Sequence, residues 1–245
     1  MKKIIFALLL LAGSAHVFAQ EAEETASKSS FDLGLDVQSR YIWRGIQLGN
    51  NSVSFQPWME FSSGGFSIGA WGAYGLGGDS GNLNEADLYA TYAFSDAFSV
   101  TLTDYFFPGD SGYFVNYFPY NEGHVLEGMV SFAGTKDFPI AIFVATNFAG
   151  AIKYDDNGSE KSAYSTYVEA SYSTTIGETE FGIFAGGVFA DDNGYYLTDG
   201  EGIINLGISA AKEVKITDSF SLPVNGKLTL NPDAKNLYLT FGFSL

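Results

Sequence analysis

The sequence predicts an all-β fold: a transmembrane antiparallel up-and-down β-barrel of about 12 strands, with both termini on the periplasmic side. Three observations lead there. From Phe31 onward the hydrophobic pattern has period 2 almost everywhere, as in Phe31, Leu33, Leu35 and Val37 against Asp32, Gly34, Asp36 and Gln38. The apolar parity is the continuous one, whereas the other carries Asp32, Asp36, Glu60, Asp87, Glu127, Glu169 and Lys227. Charges can line a wet lumen but cannot be packed into the dry interior of a soluble barrel without partners. The composition agrees: 46% of residues are hydrophobic and 16% charged, with 22 Phe, 15 Tyr and 29 Gly, as expected of many short strands and tight turns.

The chain opens with Met1-Lys2-Lys3, an apolar run from Ile4 to Ala12, and Val17-Phe18-Ala19. A basic start, a short apolar core and small residues at the end predict a secretory signal peptide over 1–19, cleaved after Ala19. Its apolar core is too short for a membrane helix, which needs about 20 residues. Residues 20–30 are polar and aperiodic and read as a flexible leader, leaving 31–245 for the barrel. Loss of Lys2 and Lys3 moves the net charge from −16 to −18. So acidic a surface argues against nucleic acid as a partner, and the absence of cysteine excludes disulfide and thiolate chemistry.

Twelve alternating segments follow: 31–46, 52–62, 66–76, 84–94, 98–107, 123–133, 139–149, 162–174, 180–190, 202–212, 219–230 and 235–245. Each has the length that crosses a bilayer at the usual tilt, about 9–15 residues. The connections alternate as well. Those near 62–65, 95–97, 135–138 and 176–179 are tight, and those at 77–83, 108–122, 150–161 and 191–201 are longer and rich in Asp, Gly and Asn. Short turns at one end and long loops at the other are the topology of an outer-membrane barrel. The clean alternation of 236–245 marks it as the strand that would engage the barrel-assembly machinery; outer-membrane lipids, lipopolysaccharide and small solutes complete the expected partners. The place of such a barrel is the outer membrane of a Gram-negative bacterium.

The stretch Ser39-Arg40-Tyr41-Ile42-Trp43-Arg44-Gly45 closes the first segment. Parity places Tyr41 and Trp43 toward lipid and Arg40 and Arg44 toward the lumen. Twelve steps from Phe31 rise roughly 28 Å, so Phe31, Tyr41 and Trp43 become interfacial aromatic anchors at the two membrane surfaces. The lumen-lining candidates are Asp36, Arg40, Arg44, Glu60, Asp87, Glu127, Glu169 and Lys227, with Glu60 an expected partner for the arginines. Such a lumen can brace its wall with ion pairs, screen solutes by charge, or do both. Trp58, Trp71, Tyr89, Phe143, Tyr167 and Phe184 share its parity and would narrow the bore. Asp104 falls on the lipid parity, where a charge is costly, and a bulge near Thr103 is expected to turn it inward.

The same stretch carries a resemblance. Ser39 with Tyr41-Ile42-Trp43-Arg44-Gly45, then Gly65-Phe66-Ser67-Ile68-Gly69-Ala70-Trp71-Gly72, then Glu85-Ala86-Asp87-Leu88-Tyr89 resemble, in order, the motifs of the TorF-like outer-membrane porin family; Arg40 departs from its pattern. The resemblance covers 36–109 and implies passive diffusion of small hydrophilic solutes. The acidic loops add an expected preference for cations.

Other motifs carry less. Two GDSG strings, at 78–81 and 109–112, spell a serine-protease signature, but neither continues with Gly-Pro, so both read as turns. Two DDNG strings, at 155–158 and 191–194, read as turns in which Asn-Gly supplies positive φ, or as carboxylates for divalent cations. Past the leader the chain has one histidine, His124, and no catalytic partner can be assigned to it. No catalytic site, cofactor or metal site is expected. The alternatives to a channel are a structural or adhesive barrel without an open pore, and a barrel hydrolase using His124.

Overall fold

The computed structural model describes residues 29–49, 51–76, 84–108, 117, 123–154, 156–190, 194–198 and 200–245. The expected signal peptide, nearly all of the leader and both GDSG strings lie outside them, as do Asp155, Asp191, Asp192 and Asn193 of the DDNG strings. The strands in chain order are β1 (Ser30–Gln38), β2 (Tyr41–Trp43), β3 (Ile46–Leu48), β4 (Ser54–Ser63), β5 (Phe66–Gly75), β6 (Asn84–Ala93), β7 (Phe98–Phe106) and β8 (His124–Phe132). They continue with β9 (Ala141–Ala149), β10 (Ile152–Tyr154), β11 (Glu160–Ser162), β12 (Thr166–Ile176), β13 (Thr179–Ala190), β14 (Gly202–Lys215), β15 (Ser221–Asn231) and β16 (Asn236–Ser244).

Twelve of these close a barrel in the order β1-β16-β15-β14-β13-β12-β9-β8-β7-β6-β5-β4, every neighbouring pair antiparallel. Closure removes sheet edges, which is the condition for a sheet to survive in hydrocarbon. The seam is the shortest pairing. Asp36, Val37 and Gln38 oppose Ser244, Phe243 and Gly242, and Leu35 and Leu245 exchange both backbone hydrogen bonds.

The alternation sorts side chains as a bilayer barrel requires. Leu33, Met59, Ile68, Leu88, Leu102, Val130, Ile183, Ile208, Leu239 and Phe241 stand exposed on the outside. Their strand neighbours Glu60, Asp87, Tyr89, Thr101, Thr103, Glu169, Ser209 and Thr240 are buried within. An apolar exterior around a polar interior is the surface of a membrane-spanning barrel. Phe31 is 61% exposed near the short-turn end of β1.

The lumenal aromatics do not simply stack across the bore. Trp58 rests on Gly34, Tyr89 on Gly69 and Phe184 on Gly207, each glycine being the directly paired residue of the neighbouring strand. A Cβ on Gly34 would lie 2.7 Å from the Trp58 ring. Tyr167 covers Gly186 in the same way. Glycine on the wall leaves a recess that the ring fills, an inward version of aromatic rescue.

Three register shifts interrupt the ladders, between Leu126/Glu127, Thr166/Tyr167 and Gly186/Gly187. The β6–β7 and β7–β8 ladders run through Thr103 without one. The expected bulge there is absent, and Asp104 stays on the outer parity.

Candidate functional site: a hairpin seated in the lumen

The first segment does not run to Gly45 in the wall. β1 ends at Gln38, and residues 41–48 form a separate two-stranded hairpin with Tyr41 opposite Leu48, Ile42 opposite Gln47 and Trp43 opposite Ile46. Its two-residue loop is Arg44-Gly45, with φ of 47° and 83°. Positive φ at both positions is the signature of a type I′ hairpin turn, whose twist matches the strands it joins. Tyr41, Ile42, Trp43, Arg44 and Ile46 are all buried, and the hairpin packs on Trp71, Tyr89, Tyr105, Val125, Phe143 and Tyr167 of the inner wall.

This corrects the expectation for Tyr41 and Trp43. They are not anchors in a lipid interface: they are 7% and 5% exposed and face other protein groups. Tyr41 lies 5.5 Å from the Trp71 ring, and Trp43 stacks on Tyr196 at 5.3 Å with the planes 1° apart. Oil and a packed aromatic interior accept the same side chains, so parity alone did not separate them. The sequence did hold a signal: Tyr41-Ile42-Trp43 breaks the alternation, and Arg-Gly between apolar pairs is hairpin chemistry.

Gly45 explains why the turn needs glycine twice over. Besides its φ, a Cβ there would overlap the Ile204 carbonyl of β14. Ile204 sits at the register shift where Gly186 and Gly187 oppose Asn205 and Ile203. Asn231 of β15 donates its side-chain N–H to the Gly45 carbonyl at 3.1 Å. The tip thus touches β14 and β15 on one side.

Arg44 reaches the other side. Its Nη1 and Nη2 donate to Glu127 of β8 at 2.5 and 2.8 Å, a bidentate pair. Nη1 also donates to Tyr196 Oη at 2.7 Å. The guanidinium carbon lies 4.6 Å from the Trp43 ring, 5.0 Å from Tyr167 and 5.5 Å from Phe143. Tyr105 donates to Glu127 as well, at 3.0 Å. Burial opposes the charge on Arg44, but Glu127, Tyr196 and Tyr105 together outweigh it and hold the guanidinium protonated. Burial, then the fields of Glu85 and Asp87, push the Tyr41 phenol well above its ordinary value, so it stays a neutral O–H. All three register shifts lie on strands that meet this tip; bulges commonly re-aim side chains at such places.

The remaining lumen candidates distribute as follows. Glu127 is the partner of Arg44, in place of the expected Glu60. Glu60 and Asp87 are buried on the inner wall. Glu169 accepts from Tyr167 Oη and, at 2.7 Å, from Asn205. Asp36 accepts from Ser244 across the seam. Lys227 places its ammonium 4.4 Å from the Phe184 ring. Arg40 stands at the root of the hairpin, 3.4 Å from Gln47 Oε1, and is not a wall residue. Sequence reasoning missed Glu85, Tyr105, Tyr195 and Tyr196. The two tyrosines come from the β13–β14 loop, where no periodicity marks an inward residue. Where described, the DDNG strings behave as turns, with φ of 76° at Gly158 and 68° at Gly194.

On the outer face, Asp104 is partnered by His124 and Tyr117 rather than turned inward. His124 Nδ1 lies 2.8 Å from Asp104 Oδ1, and Tyr117 Oη donates to Asp104 Oδ2 at 2.7 Å. His124 Nε2 meets the Tyr117 carbonyl at 2.8 Å, and Phe106 stacks on the ring at 4.5 Å. Both ring nitrogens of His124 are thus engaged. Among the described residues no group of three or more potential ligands could hold a metal ion.

Fold and site define a membrane-spanning β-barrel with a lumen narrowed by its own first loop. Residues 22–217 match the model of the family described as "Bacterial protein of unknown function (Gcw_chp)", and the chain belongs to that family. No curated protein matches it. Among solved structures, "NanC porin structure in rhombohedral crystal form" is similar at 10% identity and a TM-score of 0.48, over 87% of this chain and 98% of that one.

Proposed function

We propose that the protein is an outer-membrane, porin-like channel for passive diffusion of small hydrophilic solutes, narrowed at its long-loop end by the Arg44-Gly45 hairpin. The observation that carries this reading is the charge inside the wall. Asp36, Glu60, Glu85, Asp87, Glu127 and Glu169 share the lumen with the cations Arg44 and Lys227, and Arg44 is taken up by Glu127. Glu85 and Asp87 sit side by side on the inner wall of β6, both buried. An acidic lumen of this kind favours cations over anions. The resemblance of three motifs to the TorF-like porins supports the same reading. The test is the reversal potential of purified protein in planar bilayers under a KCl gradient. A potential on the cation side supports the proposal; a folded barrel that never conducts overturns it in favour of a structural barrel.

A further inference from the structure

Between the hairpin and the β13–β14 loop lies a cavity of about 140 Å³, lined by Trp43, Tyr105, Phe107, Tyr195, Leu197 and Glu85 together with the hairpin aliphatics. Its walls are aromatic and set at right angles. Tyr105 and Tyr195 meet the Trp43 ring edge-on, at 6.1 and 6.0 Å with interplanar angles of 78° and 85°. Among the described residues, one ionisable acid, Glu85, lines this space. Glu85 is 1% exposed, and among the described residues its Oε2 receives no hydrogen bond. Leu197 stands at the rim, 72% exposed and held at φ 56°, a conformation leucine rarely adopts. Strain of that kind persists where the surroundings over-determine a residue, commonly at ligand sites.

We infer that this cavity is a binding site for a small alkylammonium cation, with the aromatic rings as its walls and Glu85 as its counter-charge. The faces of tyrosine and tryptophan rings set as the walls of a box attract quaternary ammonium groups through the ring quadrupole. A neutral apolar ligand would gain nothing from the Glu85 carboxyl, and an anion would add a like charge beside Glu85 and Asp87. Arg44 lies on the Trp43 ring, yet its charge is matched by Glu127, so the local excess is negative. The volume suits one compact head group, since a dry cavity of about 150 Å³ takes a benzene-sized guest. The site does not depend on conductance: a barrel that passes no ions would hold it equally.

The experiment is isothermal titration of the folded, detergent-solubilised full chain with tetramethylammonium chloride. Sodium chloride and the uncharged isostere 2,2-dimethylpropanol serve as controls. The inference expects saturable binding of tetramethylammonium alone, weakened at least tenfold in Glu85→Gln. Leu197→Trp, which fills the cavity from its exposed rim, abolishes it while heat-modifiable gel mobility shows the barrel intact. Absence of saturable binding to the wild type overturns the site. Equal binding of the alcohol overturns the cation class, and binding unchanged in Leu197→Trp overturns the location.

Discussion

Arg44 and Glu127 are 83 residues apart in the chain and joined by a buried bidentate ion pair inside the barrel. Removing one partner leaves the other charge buried and alone, which costs about 3–5 kcal/mol. Arg44→Ala and Glu127→Ala should therefore each lower the urea midpoint of the folded barrel. The double variant Arg44→Met with Glu127→Leu should recover most of the loss. Unfolding followed by tryptophan fluorescence checks this, and simple additivity of the two losses would contradict the pairing.

The seat of the hairpin tip makes a sharper prediction. Gly45→Val collides with the Ile204 backbone and forbids the positive φ of the turn. The hairpin should leave the lumen and expose Arg44, which is 3% accessible in the native fold. Limited trypsin digestion of the folded barrel reads this by mass spectrometry. Wild type is expected to resist cleavage after Arg44, and Gly45→Val to be cut there.

How much of this was legible beforehand depends on what each pattern measures. All 12 wall segments could be read because alternation reports a two-sided environment, and every wall strand has lipid on one side. The first segment overran its strand because Tyr41 and Trp43 continue its apolar parity, although Ile42 between them interrupts the alternation. The hairpin buries both parities around Arg44, whose partner is set by which strands the loop crosses, and no local pattern encodes that. Asp104 was seen to be misplaced for lipid. Its remedy came from His124 and Tyr117, one on the next strand and one in a loop, rather than from the backbone.

That remedy can be tested on the outer face. His124→Leu leaves the Asp104 carboxylate facing lipid without its imidazole, and a lipid-facing charge costs about 2–4 kcal/mol near the midplane and less toward the interface. The single variant should unfold at lower urea than Asp104→Leu combined with His124→Leu. A single variant as stable as the double would mean that the His124–Asp104 contact carries no weight in the bilayer.

The glycine recesses yield a prediction about the bore. Gly34→Val displaces the Trp58 ring from its resting place, and overpacking of this kind costs about 1–3 kcal/mol. Where the barrel still folds, the displaced ring should lower single-channel conductance, whereas Trp58→Ala should raise it. Equal conductance in both would place Trp58 outside the conducting path.

The most direct test of the account is single-channel recording of the wild type beside a variant whose residues 41–48 are replaced by a short Gly-Ser linker. The account predicts small, cation-preferring steps from the wild type and steps several times larger from the variant, both from barrels with the same heat-modifiable mobility. Identical conductance in the two, or silence from both, would contradict a lumen narrowed by its first loop.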